Sequence, residues 1–387
     1  MDALGSCAKM EKVVPDTHIT DVGIISMFRV PNYGSYLQSL GLMSMLHNLG
    51  FSSKLLDYKP EEPVVPHSSL YYRLWRIKKN PVIDYLVDSC NRGLKGDSFP
   101  LRYKREFLPE IGVGYASNHR EPVDIAIVGS DEVFNCLQSG FNVGFSPMLF
   151  GEGVHADKVA SYAASFGSST IDKLYSYGVA DRVASWLRNM SAISVRDLNS
   201  KGIVDDLLGA DVAQIHLDPV LVSDFVLPDV SLDMGQYAVL YTYKNRVYAE
   251  EEIEAIRRFC VRNGLRLVSF GDAKEWVDEK IDAAPLEMLA YFSKASFVIT
   301  DTFHGAVFSI KTNRNFAVLV RDDNRNKLED LLLRVGQGDR IMSGFDDLQA
   351  LYDEPAVFDA TNRLVDDERK RTRDYLRRVV QSGVPAR

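Results

Sequence analysis

Cysteine is scarce and scattered. Cys7, Cys90, Cys136 and Cys260 stand far apart with no Cys-x-x-Cys pair, which speaks against a disulfide framework and a structural zinc site and leaves reduced thiols as the expectation. Long apolar runs are missing too: no stretch reaches the roughly 18 residues of a membrane span. The first residues, with Asp2, Glu11 and Asp16, lack the basic-then-apolar layout of a secretory signal. A cytoplasmic enzyme is therefore expected. Positive charge is not in excess, because 45 Lys and Arg face 53 Asp and Glu for a net charge of −8. That balance argues against nonspecific nucleic-acid binding as the main task. Clusters of Asp and His at metal-ligand spacing are lacking, so neither a metal nor another cofactor is expected, and no repeats or low-complexity segments are evident.

What remains is the composition of a soluble globular protein, 46% hydrophobic and 25% charged, in 387 residues. That length predicts roughly two domains. The most informative stretch runs from Phe297 to Ile310. Its first four residues suit a buried strand and its apolar positions from Phe303 onward fall at helical spacing. The polar Asp301, Thr302, His304 and Gly305 then sit where a parallel strand hands over to a helix, the edge of an open α/β sheet where ligands bind. A helix N-terminus favours phosphate or carboxylate, and a histidine beside it can move a proton near pH 7. The alternative is that His304 merely caps the helix or satisfies a local hydrogen bond.

Strand signals at 22–26 and 54–58 flank a helical pattern that opens at Pro31-Asn32-Tyr33-Gly34 and stops at Gly50. This βαβ unit brings Asn32 and Tyr33 to the ligand edge, with an Asn cap and aromatic staple as the competing explanation. A strand at 123–128 ends in Gly129-Ser130-Asp131, a turn that lets backbone approach a ligand while Asp131 accepts from a hydroxyl. Strands at 159–164 and 192–195 end in Ser165-Phe166-Gly167 and Arg196-Asp197. The fork of Arg196 suits a carboxylate or phosphate, and an ion pair with Asp197 or another acid is the alternative. A strand near 213–217 stops at Asp218-Pro219. After Pro228 the pattern restarts with strands at 237–243, 265–270, 297–300 and 316–320 and helices at 249–262, 285–294 and 326–335.

The expected division is a disordered segment at 1–20, an N-terminal Rossmann-like domain at 21–228, a C-terminal one at 229–365, and a helix at 366–387 packing back towards the first domain. The 60–120 insert differs from its surroundings in charge: between residues 71 and 120, ten Lys and Arg face five Asp and Glu. As a helical arm it suits an anionic membrane or an acidic, lipid-linked acceptor, or else packs on its own domain.

Taken in order, Asn32-Tyr33-Gly34, Gly129-Ser130-Asp131, Ser161 to Gly167, Ile193 to Asp197, Asp218-Pro219 and Thr300 to Gly305 resemble the polysaccharide pyruvyl transferase family, over about residues 20 to 320. The resemblance implies an α/β fold of two Rossmann-like domains facing a cleft, GT-B-like. It implies transfer of a pyruvyl group from phosphoenolpyruvate to a sugar as a ketal, with His304 as the cleft histidine and Arg196 as the strand-end arginine. Asn32, Tyr33, Gly129, Ser130, Asp131, Ser165, Asp301, Thr302 and Gly305 are the remaining candidate substrate contacts. The acceptor implied is a sugar or lipid-linked glycan, reached from the cytoplasm at the inner face of the membrane. Family members tend to carry an arginine where this chain has Thr302, so Arg321 or Arg314 is expected to supply that charge. A GT-B glycosyltransferase using a nucleotide sugar and a catalytically silent glycan-binding protein stay open as alternatives.

Overall fold

The computed structural model describes residues 21–65, 98–138, 145–230, 235–243, 246–271 and 274–382. The expected disordered segment at 1–20 and most of the basic insert lie outside the described residues. In the first half, β1 (Asp21–Ile25), β2 (Ser52–Leu56), β3 (Val123–Val128) and β4 (Ala156–Ser161) form a parallel sheet ordered β2-β1-β3-β4. The short pair β5 (Ser194–Val195) and β6 (Gln214–Ile215) extends it through bridges from Ala160 to Ala192 and from Ala164 to Val195. Helices α1 (Tyr33–Asn48), α2 (Leu198–Leu208) and α3 (Pro219–Val222) follow β1, β5 and β6. The apolar strands are buried because helices cover the parallel sheet, so Ile24, Ile25, Ile125 and Ile127 have no exposed surface.

The second half repeats the theme with a separate parallel sheet. Strands β7 (Tyr237–Tyr241), β8 (Arg266–Phe270), β9 (Glu279–Ile281), β10 (Phe297–Thr300), β11 (Phe316–Leu319) and β12 (Ile341–Met342) run in the order β12-β11-β10-β7-β8-β9. Its helices are α4 (Glu250–Arg262), α5 (Pro285–Lys294), α6 (Phe303–Lys311), α7 (Arg325–Arg334) and α8 (Asp359–Gln381). The molecule is thus an α/β protein of two Rossmann-like halves, GT-B-like in architecture. Strand β4 starts at Ala156, earlier than its apolar run, because the ladder with β3 begins at Val123 and Ala156. The edge strands β9 and β12 are too short to leave a periodic signal.

Each sheet has one switch point. Connections leave β1 and β3 on opposite sides in the first sheet, and β7 and β10 in the second. The loops after these strands therefore open a crevice at the carboxyl ends of the sheet. Between the halves lies α3, packed against both α1 and α6. Gly41 permits this close approach, since a Cβ there would stand 2.7 Å from Ser223 Oγ. Helix α8 starts at Asp359, earlier than the expected 366, and returns to the first half. There the Tyr375 hydroxyl donates to the Ser161 carbonyl at 2.7 Å. Among the described residues, no helix is long and apolar enough to cross a membrane.

Candidate active site

His304 stands on the first turn of α6. Thr302 caps that helix, its hydroxyl accepting from the Gly305 N–H at 2.9 Å. Only glycine fits at 305, because a Cβ would lie 2.0 Å from the Thr300 hydroxyl, which is itself donated to the Tyr241 carbonyl at 2.6 Å. The handover from β10 to α6 is thereby fixed.

The imidazole of His304 is clamped. A Cβ on Gly34 would fall 2.2 to 2.5 Å from three ring atoms, so the glycine at the start of α1 lies over one face. Phe308 stacks against the ring at 29° with centroids 5.8 Å apart. Nε2 is buried with no hydrogen-bond partner and faces Asp218 Oδ2 at 3.9 Å. Burial lowers the pKa of His304 below its ordinary value, Asp218 and Asp131 act to raise it, and Arg196 and Lys327 push it further down.

Asp218 is the hub. Fully buried before α3, it accepts from the Val220 N–H at 3.0 Å, from Arg196 Nη1 at 3.0 Å and from the Gln38 side-chain amide. Arg196, at the end of β5, is paired with this acid and not with Asp197, whose carboxylate caps α2 and accepts from Ser165 Oγ at 2.6 Å. The guanidinium lies 4.1 Å above the Phe303 ring, and its Nε has no partner. Nearby carboxylates, Asp218 foremost, raise its pKa although burial opposes them.

Asp131 completes the near group. Its carboxylate accepts from Ser35 Oγ at 2.9 Å and stands 3.9 Å from Arg196 Nη2. Gly129 brings this loop against β4, with φ at 126° and room for no Cβ because the Tyr162 carbonyl would be 2.1 Å away. Ser130 holds the loop from within by donating to the Ala163 carbonyl at 2.9 Å and accepting from Gln38 at 3.3 Å.

Other candidates have internal partners. Asn32 caps α1, accepting from the Gly34 N–H at 2.7 Å. The Tyr33 hydroxyl donates to the Ala283 carbonyl of the second half at 2.9 Å, and its ring packs on Phe99. Asp301 accepts from Thr242 at 2.7 Å and Arg321 at 3.1 Å, while its carbonyl accepts from Arg246 and Asn324. Arg321 also pairs with Glu252, and Arg314 donates to the Thr312 carbonyl. The cations that lower the pKa of His304 are Arg196 and Lys327 of α7, the latter in an ion pair with Glu132 across the halves. Gln38, Ser35 and Lys327 join the site without belonging to any of the motifs. Of these only Gln38 and Ser35 carried a signal, as polar residues on the otherwise buried face of α1. Among the described residues, no group of three His, Cys, Asp or Glu side chains is placed to hold a metal.

A comparison with curated proteins yields no match. Among solved structures, the glycotransferase of kitacinnamycin is similar at 12% identity and TM-score 0.47, covering 94% of this chain and 99% of its own. The spinosyn forosaminyltransferase SpnP is similar at 13% and 0.47, covering 95% and 100%. S. aureus MnaA with UDP gives 10% and 0.48, covering 94% and 97%. The fold assignment rests on the two sheets themselves. Residues 32–323 match the family described as polysaccharide pyruvyl transferase, and because that match spans most of the chain, the protein belongs to this family of transferases.

Proposed function

We propose that the protein moves a pyruvyl group from phosphoenolpyruvate to a sugar of a cell-surface glycan or its precursor, as a ketal. The observation that carries this reading is the meeting of two buried side chains, His304 and Arg196, on two sides of Asp218 at the sheet edges. An anionic donor beside a proton carrier is what the chemistry needs. In the first step a sugar hydroxyl attacks C2 of the donor and its proton ends on C3, which becomes the methyl group. In the second, another hydroxyl displaces phosphate, which leaves with that hydroxyl's proton. His304 carries the proton, and Arg196, joined by Lys327 in place of the arginine that Thr302 replaces, holds the donor's charge. General acid–base assistance of this kind contributes about 10² to 10⁴ in rate.

Thermal shift tests the donor, since only a ligand that binds the folded protein stabilises it. Phosphoenolpyruvate should raise the melting temperature and UDP- or GDP-sugars should not; the reverse result would favour a nucleotide-sugar glycosyltransferase. In His304→Ala and His304→Gln, turnover should fall about 10²-fold or more with donor affinity changed much less. A folded His304→Ala protein with unchanged turnover would end the proton-transfer scheme, whereas a wild-type protein without any transferase activity would favour a silent glycan-binding protein. The acceptor is a sugar or lipid-linked glycan, and the basic residues between 71 and 105 draw the cytoplasmic enzyme to the anionic inner face of the membrane. Binding to anionic vesicles should then weaken as salt rises, because exposed charges are screened beyond about 8 Å at physiological ionic strength. Binding indifferent to salt and lipid charge would remove that role.

A further inference from the structure

We propose that Asp218 is a positioning residue for His304: it holds the Nε2–H edge of the imidazole, so that Nδ1 is the atom that exchanges a proton with the substrates. The argument begins with the enclosed nitrogen. Nε2 is sealed from solvent without a hydrogen-bond partner, a costly state for a polar atom unless it can reach an acceptor. The acid facing it is Asp218 Oδ2 at 3.9 Å. A movement of about 1 Å closes that gap to hydrogen-bond length.

Asp218 cannot do the moving. Val220 N–H, Arg196 Nη1 and the Gln38 amide fix its two oxygens from three different elements. The ring is packed against Gly34 and Phe308 with its Nε2 edge already turned to Oδ2, so a small rotation of the His304 side chain is what closes the gap. Its residual exposure, 8% of the side chain, lies away from the sealed Nε2. A proton on Nε2 therefore points at a fixed carboxylate, and the lone pair on Nδ1 is left for chemistry. This is the logic by which a buried acid selects the tautomer of a catalytic histidine.

The charges around the ring fit that assignment. From the element before α3 comes Asp218, from the loop after β3 Asp131, from the end of β5 Arg196 and from α7 Lys327. From α1 the ring meets the uncharged Gly34. When Nδ1 takes a hydroxyl proton, the imidazolium formed is held against Asp218 until it returns the proton to the donor's C3. Without that carboxylate, two cations face it with only Asp131 in opposition.

The tautomer can be read in the wild-type enzyme by long-range ¹H–¹⁵N NMR of labelled histidine, with the His304 signals identified by their loss in His304→Gln. The neutral ring should be protonated on Nε2; an Nδ1–H tautomer would overturn the proposal. In Asp218→Asn the Nε2–H preference should weaken, and the acid limb of kcat should move to lower pH with turnover reduced at least tenfold. A folded Asp218→Asn protein with wild-type tautomer and pH profile would also overturn it. An Asp218→Asn chain that does not fold leaves the wild-type spectrum to decide. Only the kinetic arm rests on the pyruvyl transfer reading; the tautomer is measured without donor, so the two can fail separately.

Discussion

Arg196 illustrates how enclosure changes what one charge does. Its guanidinium is almost wholly buried, yet it donates to Asp218 through Nη1 and leaves Nε without a partner. A buried donor left unmade costs about 1–3 kcal/mol, so an incoming oxyanion that accepts from Nε recovers that cost. The planar fork matters more than the charge, since a lysine ammonium cannot hold Asp218 and the donor in one plane. Arg196→Lys should therefore raise the apparent KM for phosphoenolpyruvate about tenfold or more. Unchanged donor kinetics in Arg196→Lys and Arg196→Ala would assign Arg196 to holding Asp218 alone.

At the scale of elements, α8 shows how a C-terminal helix is tied to a distant sheet. Tyr375 is buried, donates to the Ser161 carbonyl at 2.7 Å and packs on His216, ring centroids 4.6 Å apart. Thr372 meets the Tyr162 hydroxyl, which in turn reaches the Leu217 carbonyl at 3.0 Å. Burial, aided by Arg371, Arg378 and Arg334, depresses the pKa of His216 to about 3. Tyr375→Phe keeps the ring but leaves the Ser161 carbonyl with one donor fewer, for an expected loss of about 1 kcal/mol. Tyr375→Ala adds a cavity and should cost about 3–5 kcal/mol. Denaturant unfolding of both variants checks this, and equal losses would show that the hydroxyl, not the ring, anchors α8.

The halves of the whole molecule are linked by charge as well as by the shared core around α3. Glu132 of the first half pairs with Lys327 of the second and accepts from Asn135 at 2.8 Å. Burial would raise the pKa of Glu132, but Lys327 together with Asn135 and Arg196 holds it down at about 2. The unfolded chain therefore binds more protons between about pH 4.5 and 2, and the pair's contribution is present above that window and lost as pH falls through it. With the carboxylate still partly in contact with solvent, the contribution is on the order of 1–2 kcal/mol. Stability measured from pH 6 to 2 should fall less steeply in Glu132→Gln than in wild type. An identical slope would show that the pair does not link the halves.

The sequence by itself determined the alternation of strand and helix, the two α/β halves and the strand-end positions where Asp131, Arg196 and His304 fall. These are local matters of periodicity, caps and turn glycines, each readable within a few residues. It also left Asn32, Tyr33, Ser165 and Asp301 looking much like their neighbours at the site, because a polar residue at a strand end has the same signature whether it caps a helix or faces a ligand. Only the tertiary structure gives each of them its internal partner. Gln38 and Asp218 are 180 residues apart, and Glu132 and Lys327 are 195 apart. They meet because parallel pairing and the docking of α3 between the halves bring distant strand ends to one crevice. No local pattern in the chain encodes that meeting.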